Sequence, residues 1–260
     1  MNFLNILRRD RSERLIWENE NLGEVVQVWE KEGRRELRFG NHIMQSVFST
    51  VNAEYLVLPY TRFMLLGLLF CPKPKTVLHV GLGGGSIARW LHREFPLLQQ
   101  TIIEINSGVV EAAQLFFDLP QDDRLQIFQG DATEIIPTLT EKFDLIFLDA
   151  YTDFDRPEGV KGLEFLKNLS GFINSTGWLV GNAWTMTGDF VEQCQIWKST
   201  FAQVLQARAN KKGNVILFGS QIQDLTEKKE FEKIAKILNK HHQLDFQRML
   251  RELKEITIHI

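Results

Sequence analysis

From Thr76 onward, short apolar runs alternate with amphipathic stretches, and this rhythm constrains the fold of the 260-residue chain more than any other feature. The apolar runs cover residues 76–80, 100–105, 125–129, 145–148 and 178–181. Helical patterns separate them at 86–94, 108–117, 133–139, 162–173 and 189–199. Strands that are apolar on both sides, each followed by a helix, imply a parallel sheet covered on both faces. Residues 201–208 and 214–219 break the rhythm, because only Asn210-Lys211-Lys212-Gly213 joins them. That spacing predicts an antiparallel hairpin at the sheet edge. Two amphipathic helices close the chain, with stripes at Phe231, Ile234, Ile237, Leu238 and at Phe246, Met249, Leu250, Leu253.

Upstream of the alternation the pattern is different. Residues 3–20 mix apolar and charged side chains and are expected to form a short helix or an arm. Residues 25–29 and 36–39 read as strands joined through Lys31-Glu32-Gly33-Arg34, a β-hairpin, with a third strand at 42–47. A helix is expected over 54–71, stopped by Cys71-Pro72-Lys73-Pro74. The chain is thus expected to divide into a small β-strand domain with its linking helix (1–70) and an α/β domain with C-terminal helices (71–260).

Composition narrows the functional classes. Cys71 and Cys194 are too few for a disulfide framework or a cysteine zinc site, and no metal is expected. The longest apolar run, 63–71, is shorter than the roughly 18 residues a membrane span needs. Arg8, Arg9, Asp10 and Arg11 interrupt any secretory pattern, so a cytoplasmic protein without membrane contact is expected. The net charge of −3 conceals an acidic middle: residues 104–158 carry 13 acidic and 3 basic side chains. Such a segment argues against nucleic acid and suits a cationic ligand.

Gly81-Leu82-Gly83-Gly84-Gly85-Ser86 lies between a strand and a helix, where glycines let backbone N–H groups approach a ligand at a positive helix end. Glu104, 23 residues after Gly81, ends the next strand, where a carboxylate accepts both hydrogen bonds of a ribose diol. To this point a dinucleotide site and an adenosylmethionine-type site look alike. Asp131 follows the third strand, either accepting from an adenine amino group or capping the helix at Ala132. Asp149 follows the fourth strand. Acids at three successive strand ends point to a nucleotide site in the crevice at the carboxyl edge of the sheet.

At these residues the chain resembles the polyamine aminopropyltransferases, the spermidine synthase-like proteins, over roughly residues 22–220. The resemblance implies a Rossmann-like, class I methyltransferase-type α/β fold, mostly parallel with a C-terminal antiparallel hairpin, behind a small N-terminal β-hairpin domain. It implies transfer of an aminopropyl group from decarboxylated S-adenosylmethionine to an amine such as putrescine, releasing methylthioadenosine. It assigns Gly81, Gly83, Gly85, Glu104, Asp131 and Gln45 to the co-substrate and Tyr60, Tyr151 and Asp153 to the acceptor. Asp149 becomes the catalytic base, and a cytoplasmic homodimer is implied. The chain departs from the family pattern at four places. Gly84 stands where the motif usually has Asp, Asp153 lies four residues after Asp149 rather than three, Thr61 follows the tyrosine, and the loop at 210–213 is short. The amine pocket therefore differs more from the pattern than the nucleoside pocket does.

The alternative is a methyltransferase using intact S-adenosylmethionine, which shares the sheet and the ribose and adenine acids. The loss of a negative charge at Gly84 speaks for it. A nucleoside-binding homologue without turnover is a further alternative. An NAD-dependent oxidoreductase fits less well, because Ser86 occupies the last fingerprint position. Gly84-Gly85-Ser86-Ile87-Ala88 misses a hydrolase nucleophile elbow by Ala88.

Overall fold

The computed structural model describes residues 13–21, 23–40, 44–150, 158–186, 188–210, 213–224 and 227–256. Its N-terminal part is an antiparallel sheet of β1 (Arg14–Asn21), β2 (Glu24–Lys31), β3 (Arg34–Phe39) and β4 (Met44–Ser49), in that order. The β2–β3 turn has Glu32 at φ 48° and Gly33 at φ 77°, the left-handed pair that a two-residue hairpin needs. Residues 14–21 correct the expectation of a helix or arm, because they pair antiparallel with β2, with one irregularity between Leu15 and Trp17. From Trp17 to Asn21 half-buried and exposed residues alternate, and the neighbouring edge of β2 supplies the hydrogen bonds. The third strand runs to Ser49 rather than Val47, and the residues of its expected start at His42 lie outside the described ones.

The expected helix over 54–71 is much shorter. It consists of α1 (Pro59–Met64) and a 3-10 turn, Leu65–Leu69. Pro59 sets this start: it fits the first helical turn, lacks an N–H and disfavours helix in the residue before it. Close packing tightens the second half, since a side chain on Gly67 would come within 2.9 Å of Val180.

The second sheet is built from β5 (Thr76–Val80), α2 (Ser86–Glu94), β6 (Gln99–Glu104), α3 (Ser107–Phe116), β7 (Leu125–Gln129), α4 (Ala132–Ile135), β8 (Phe143–Leu148), α5 (Glu158–Lys161), α6 (Leu163–Ser170), β9 (Ile173–Trp184), α7 (Phe190–Thr200), β10 (Gln203–Arg208) and β11 (Asn214–Ser220). After these come α8 (Lys228–His241), α9 (Phe246–Leu250) and β12 (Leu253–Glu255). The strand order is β12-β10-β11-β9-β8-β5-β6-β7. Strands β5 to β9 are parallel, and β11, β10 and β12 are antiparallel. The hairpin β10–β11 forms as its short connection predicts, with β12 rather than β10 as the outermost strand. The last helix ends at Leu250 instead, and Leu253 joins the sheet edge in β12. Ile237 is exposed while Phe231, Ala235 and Leu238 form the buried stripe.

Two features of this fold place the site. The chain proceeds from β5 to β6 in one direction and from β8 to β9 in the other, so the sheet opens a crevice at the carboxyl ends of β5 and β8. The N-terminal sheet packs Val26, Val28, Leu37, Phe39 and Phe48 on Val109, Ala112 and Phe117 of α3 and its end. Arg89 of α2 ties the same contact. Its guanidinium lies 4.7 Å from the Phe48 ring centre and donates to the Phe117 carbonyl at 2.6 Å. Burial pulls the Arg89 pKa down to about 10. Strand β4 is thereby brought over the glycine turn.

Candidate active site

A cavity of about 420 Å³, in the size range of small-molecule sites, lies between the carboxyl edge of the second sheet and β4. Gly81, Leu82 and Gly83 line it directly after β5. The Gly81 N–H continues the sheet ladder to the Ile103 carbonyl at 2.9 Å, and its φ is +93°. A side chain there would meet the Asp149 carbonyl oxygen at 2.5 Å, so only glycine lets the ends of β5 and β8 come this close. Gly85, in the left-handed region at φ 65°, precedes the first turn of α2 rather than lining the cavity. Gly84 is buried beneath Ser46 and Phe117, whose atoms lie 2.7 and 2.8 Å from where its Cβ would stand.

Glu104 ends β6 and is only 8% exposed. Its Oε2 accepts from the Leu82 N–H and its Oε1 from the Asn106 N–H, both at 2.9 Å. Burial raises its pKa above the ordinary carboxylate value, against the opposing pull of those N–H groups. It therefore fixes the glycine turn while lining the cavity. The next residue but one, Asn106, caps α3 through its side-chain oxygen, while its buried Nδ2 has no partner among the described residues.

Asp131 does what the capping reading predicts: Oδ1 accepts from the Thr133 N–H at 2.7 Å and from the Thr133 hydroxyl at 2.8 Å. Both bonds use one oxygen, and Asp131 also lines the cavity. Asp149 lines it from the end of β8, with its Oδ1 receiving a hydrogen bond from Asn182 Nδ2 at 2.9 Å. Asn214 Nδ2 in turn donates to Asn182 Oδ1 at 3.0 Å. This relay from β11 through β9 to β8 orients the Asp149 carboxylate.

Gln45 of β4 and Tyr60 of α1 also line the cavity. Tyr151 and Asp153 lie outside the described residues. Sequence reasoning missed Asn182, Asn214, Ser46 and Trp184. A signal for Asn182 existed, a lone amide in the apolar run Leu179-Val180-Gly181-Asn182-Ala183. His79 forms a wall of the cavity, stacked on Phe147 with ring centres 5.4 Å apart. Its Nε2 meets Gln100 Oε1 at 2.9 Å, and burial lowers its pKa to about 4, so it is neutral at pH 7. Among the described residues, no three His, Cys, Asp or Glu side chains are grouped to hold a metal ion, and no helix is long and apolar enough to cross a membrane.

A mostly parallel sheet of this order, ending in an antiparallel hairpin and bearing a glycine turn after β5, defines the class I methyltransferase-type fold. A family model described as a methyltransferase domain matches residues 77–169. The chain resembles the solved structure of a probable spermidine synthase from Corynebacterium glutamicum, with a TM-score of 0.73, 16% identity and coverage of 94% of this chain and 96% of that one. Human methyltransferase-like protein 13, solved in complex with SAH, gives 0.65 at 21% identity, covering 76% of this chain and 95% of that one. A polyamine aminopropyltransferase of Neisseria meningitidis is 30% identical over 233 residues, 88% of this chain and 89% of its own length. The chain belongs to the polyamine aminopropyltransferase family, a family of transferase enzymes.

Proposed function

We propose that the chain transfers an aminopropyl group from decarboxylated S-adenosylmethionine to a small amine, as the polyamine-forming relatives' names suggest. One observation carries this reading. The described cavity lining includes the carboxylates of Glu24, Glu104, Asp131 and Asp149 and no Lys or Arg. Such a cavity favours two cations together, a sulfonium and an ammonium, that would otherwise repel. Glu104 takes the ribose diol, with the open Asn106 Nδ2 as a further donor, and Asp131 offers its second oxygen to the adenine amino group. Gln45 faces the co-substrate, and Tyr60, with Tyr151 and Asp153, serves the acceptor.

In the transfer, Asp149 takes a proton from the acceptor ammonium. The freed nitrogen lone pair attacks the tail carbon next to sulfur. The N–C bond forms as the C–S bond breaks, and the electron pair leaves on the sulfur of neutral methylthioadenosine. Asn182 and Asn214 hold the carboxylate for this role. One observation favours a methyltransferase instead: Gly84 brings no acid to the turn, and its site has no room for a side chain.

The test offers decarboxylated and intact S-adenosylmethionine with a panel of amines and identifies the released nucleoside. Methylthioadenosine supports aminopropyl transfer, S-adenosylhomocysteine overturns it in favour of methylation, and no turnover leaves a binding homologue. The resemblance further suggests a cytoplasmic homodimer, which sedimentation velocity checks for the assembly.

A further inference from the structure

His79 is a buried titratable group that the transfer step leaves unused. It sits on β5, is 4% exposed and borders the cavity. Its neighbours fix which ring nitrogen carries the proton. Gln100 Nε2 donates to the Ala88 carbonyl at 3.1 Å, so Gln100 Oε1 turns to the imidazole and accepts from its Nε2 at 2.9 Å. Nδ1 is therefore the bare, lone-pair nitrogen, and burial keeps the ring neutral at pH 7. Nδ1 bonds to no described residue, yet it is not shut off from solvent as the partnerless atoms of Arg62, Asn106 and Gln193 are. In a residue so little exposed that borders the cavity, that opening is onto the cavity.

The sheet sets the depth of this lone pair. His79 is the register partner of Phe147, and the two rings stack. They precede Gly81 and Asp149 by two residues, so they lie on the same face, one pleat or about 7 Å below them. On that face Tyr60 of α1 and Ile87 of α2 wall the cavity. We infer that His79 Nδ1 accepts a hydrogen bond from the terminal ammonium of the three-carbon tail and so selects a co-substrate whose tail ends in an amine. This inference rests on the co-substrate proposed above. The other groups agree with it. Glu104 engages both oxygens with backbone N–H groups, and Gly84 brings no acid to the turn. Asp149, at the end of β8, is left to the acceptor. A neutral ring that burial makes a poor base orients the ammonium without taking its proton. It also adds no carboxylate to compete with Asp149 for the proton of the acceptor.

Calorimetric titration with three nucleosides tests the assignment: methylthioadenosine, decarboxylated S-adenosylhomocysteine and 5′-propylthioadenosine. They carry a methyl group, an aminopropyl tail and the same tail without its amine. The unaltered protein is expected to prefer the aminopropyl to the propyl tail by at least about tenfold, the size of one hydrogen bond to a charged group. This comparison needs no variant, and the absence of a preference overturns the inference however the variants fold. Two replacements then divide the functions of the ring. Gln puts its terminal atoms where Nε2 stands and keeps the bond to Gln100, whereas Asn puts its oxygen where Nδ1 stands. His79→Gln is expected to lower the preference about tenfold and His79→Asn to keep it within about threefold, with methylthioadenosine affinity within about threefold in both. An undiminished preference in His79→Gln overturns the inference, as does an equal loss in the two variants, which marks a purely structural ring. A raised KM for the amine acceptor with the preference intact overturns it too, because the lone pair then serves the acceptor. Failure of methylthioadenosine to bind the unaltered protein overturns the nucleoside site itself and is thereby distinguished from failure of the assignment to His79.

Discussion

At the residue scale, the Asp149 carboxylate illustrates how position and orientation separate. The end of β8 gives it a place, and Asn182 gives it a direction through one 2.9 Å hydrogen bond. Asp149→Asn is expected to lower kcat by about 10²- to 10⁴-fold, the usual worth of a positioned base, while methylthioadenosine affinity stays within about threefold. Asn182→Ala is expected to lower kcat about tenfold with little change in nucleoside affinity, which steady-state kinetics and calorimetry together resolve. His79 sets a different dependence. Its folded pKa of about 4 lies below its ordinary value of 6.5, because burial disfavours the charged ring. Above pH 6.5 both folded and unfolded forms are neutral there, and the group has no effect. As pH falls from 6.5 to 4, only the unfolded chain takes up the proton, so stability drops by up to about 3 kcal/mol. Thermal melts across that range are expected to show the loss, and His79→Gln is expected to flatten it.

At the scale of elements, the turn between β5 and α2 binds three neighbours at once. Glu104 at the end of β6 accepts from Leu82, Gly81 abuts the end of β8, and Ser46 of β4 covers Gly84. Gly81→Ala forces a side chain into the left-handed region and against the Asp149 carbonyl. It is expected to destabilise the protein by at least about 2 kcal/mol, read from denaturant unfolding, and to lower kcat by displacing Asp149. At the far end of α2, His242 following α8 meets Glu94 at 2.5 Å, with the rings of Trp90 and Phe95 centred 5.2 and 5.4 Å away. The C-terminal helices thus grip the far end of the helix whose near end faces the cavity.

At the scale of the whole molecule, the cavity belongs to both sheets, with Glu24, Gln45 and Ser46 from one and Glu104, Asp131 and Asp149 from the other. A ligand bound there stabilises their docking. Methylthioadenosine at a hundred times its Kd is expected to add about 2.7 kcal/mol, a rise in Tm of about 5–11 °C for a chain of this size. Hydrogen exchange is expected to slow in β4 as well as at the glycine turn. A rise in Tm with protection confined to the second sheet would show that β4 does not share the site.

The sequence by itself determined the parallel sheet, the antiparallel hairpin and the acids at the ends of β6, β7 and β8. Each is written in a local pattern: an apolar run, a short polar connection, or a carboxylate directly after a strand. It did not determine β1, the short α1 or β12, because an edge strand takes its hydrogen bonds from a partner and a proline resets a helix that hydrophobicity alone would extend. Only the tertiary structure decided that Asn182 and Asn214, 32 residues apart, line up behind Asp149. The same is true of Ser46, which covers a glycine 38 positions away. Such pairs carry no spacing signal, since the strand order and the docking of one sheet on α3 create their proximity. Local chemistry fixed which groups are present at the strand ends, and long-range packing fixed which way they point.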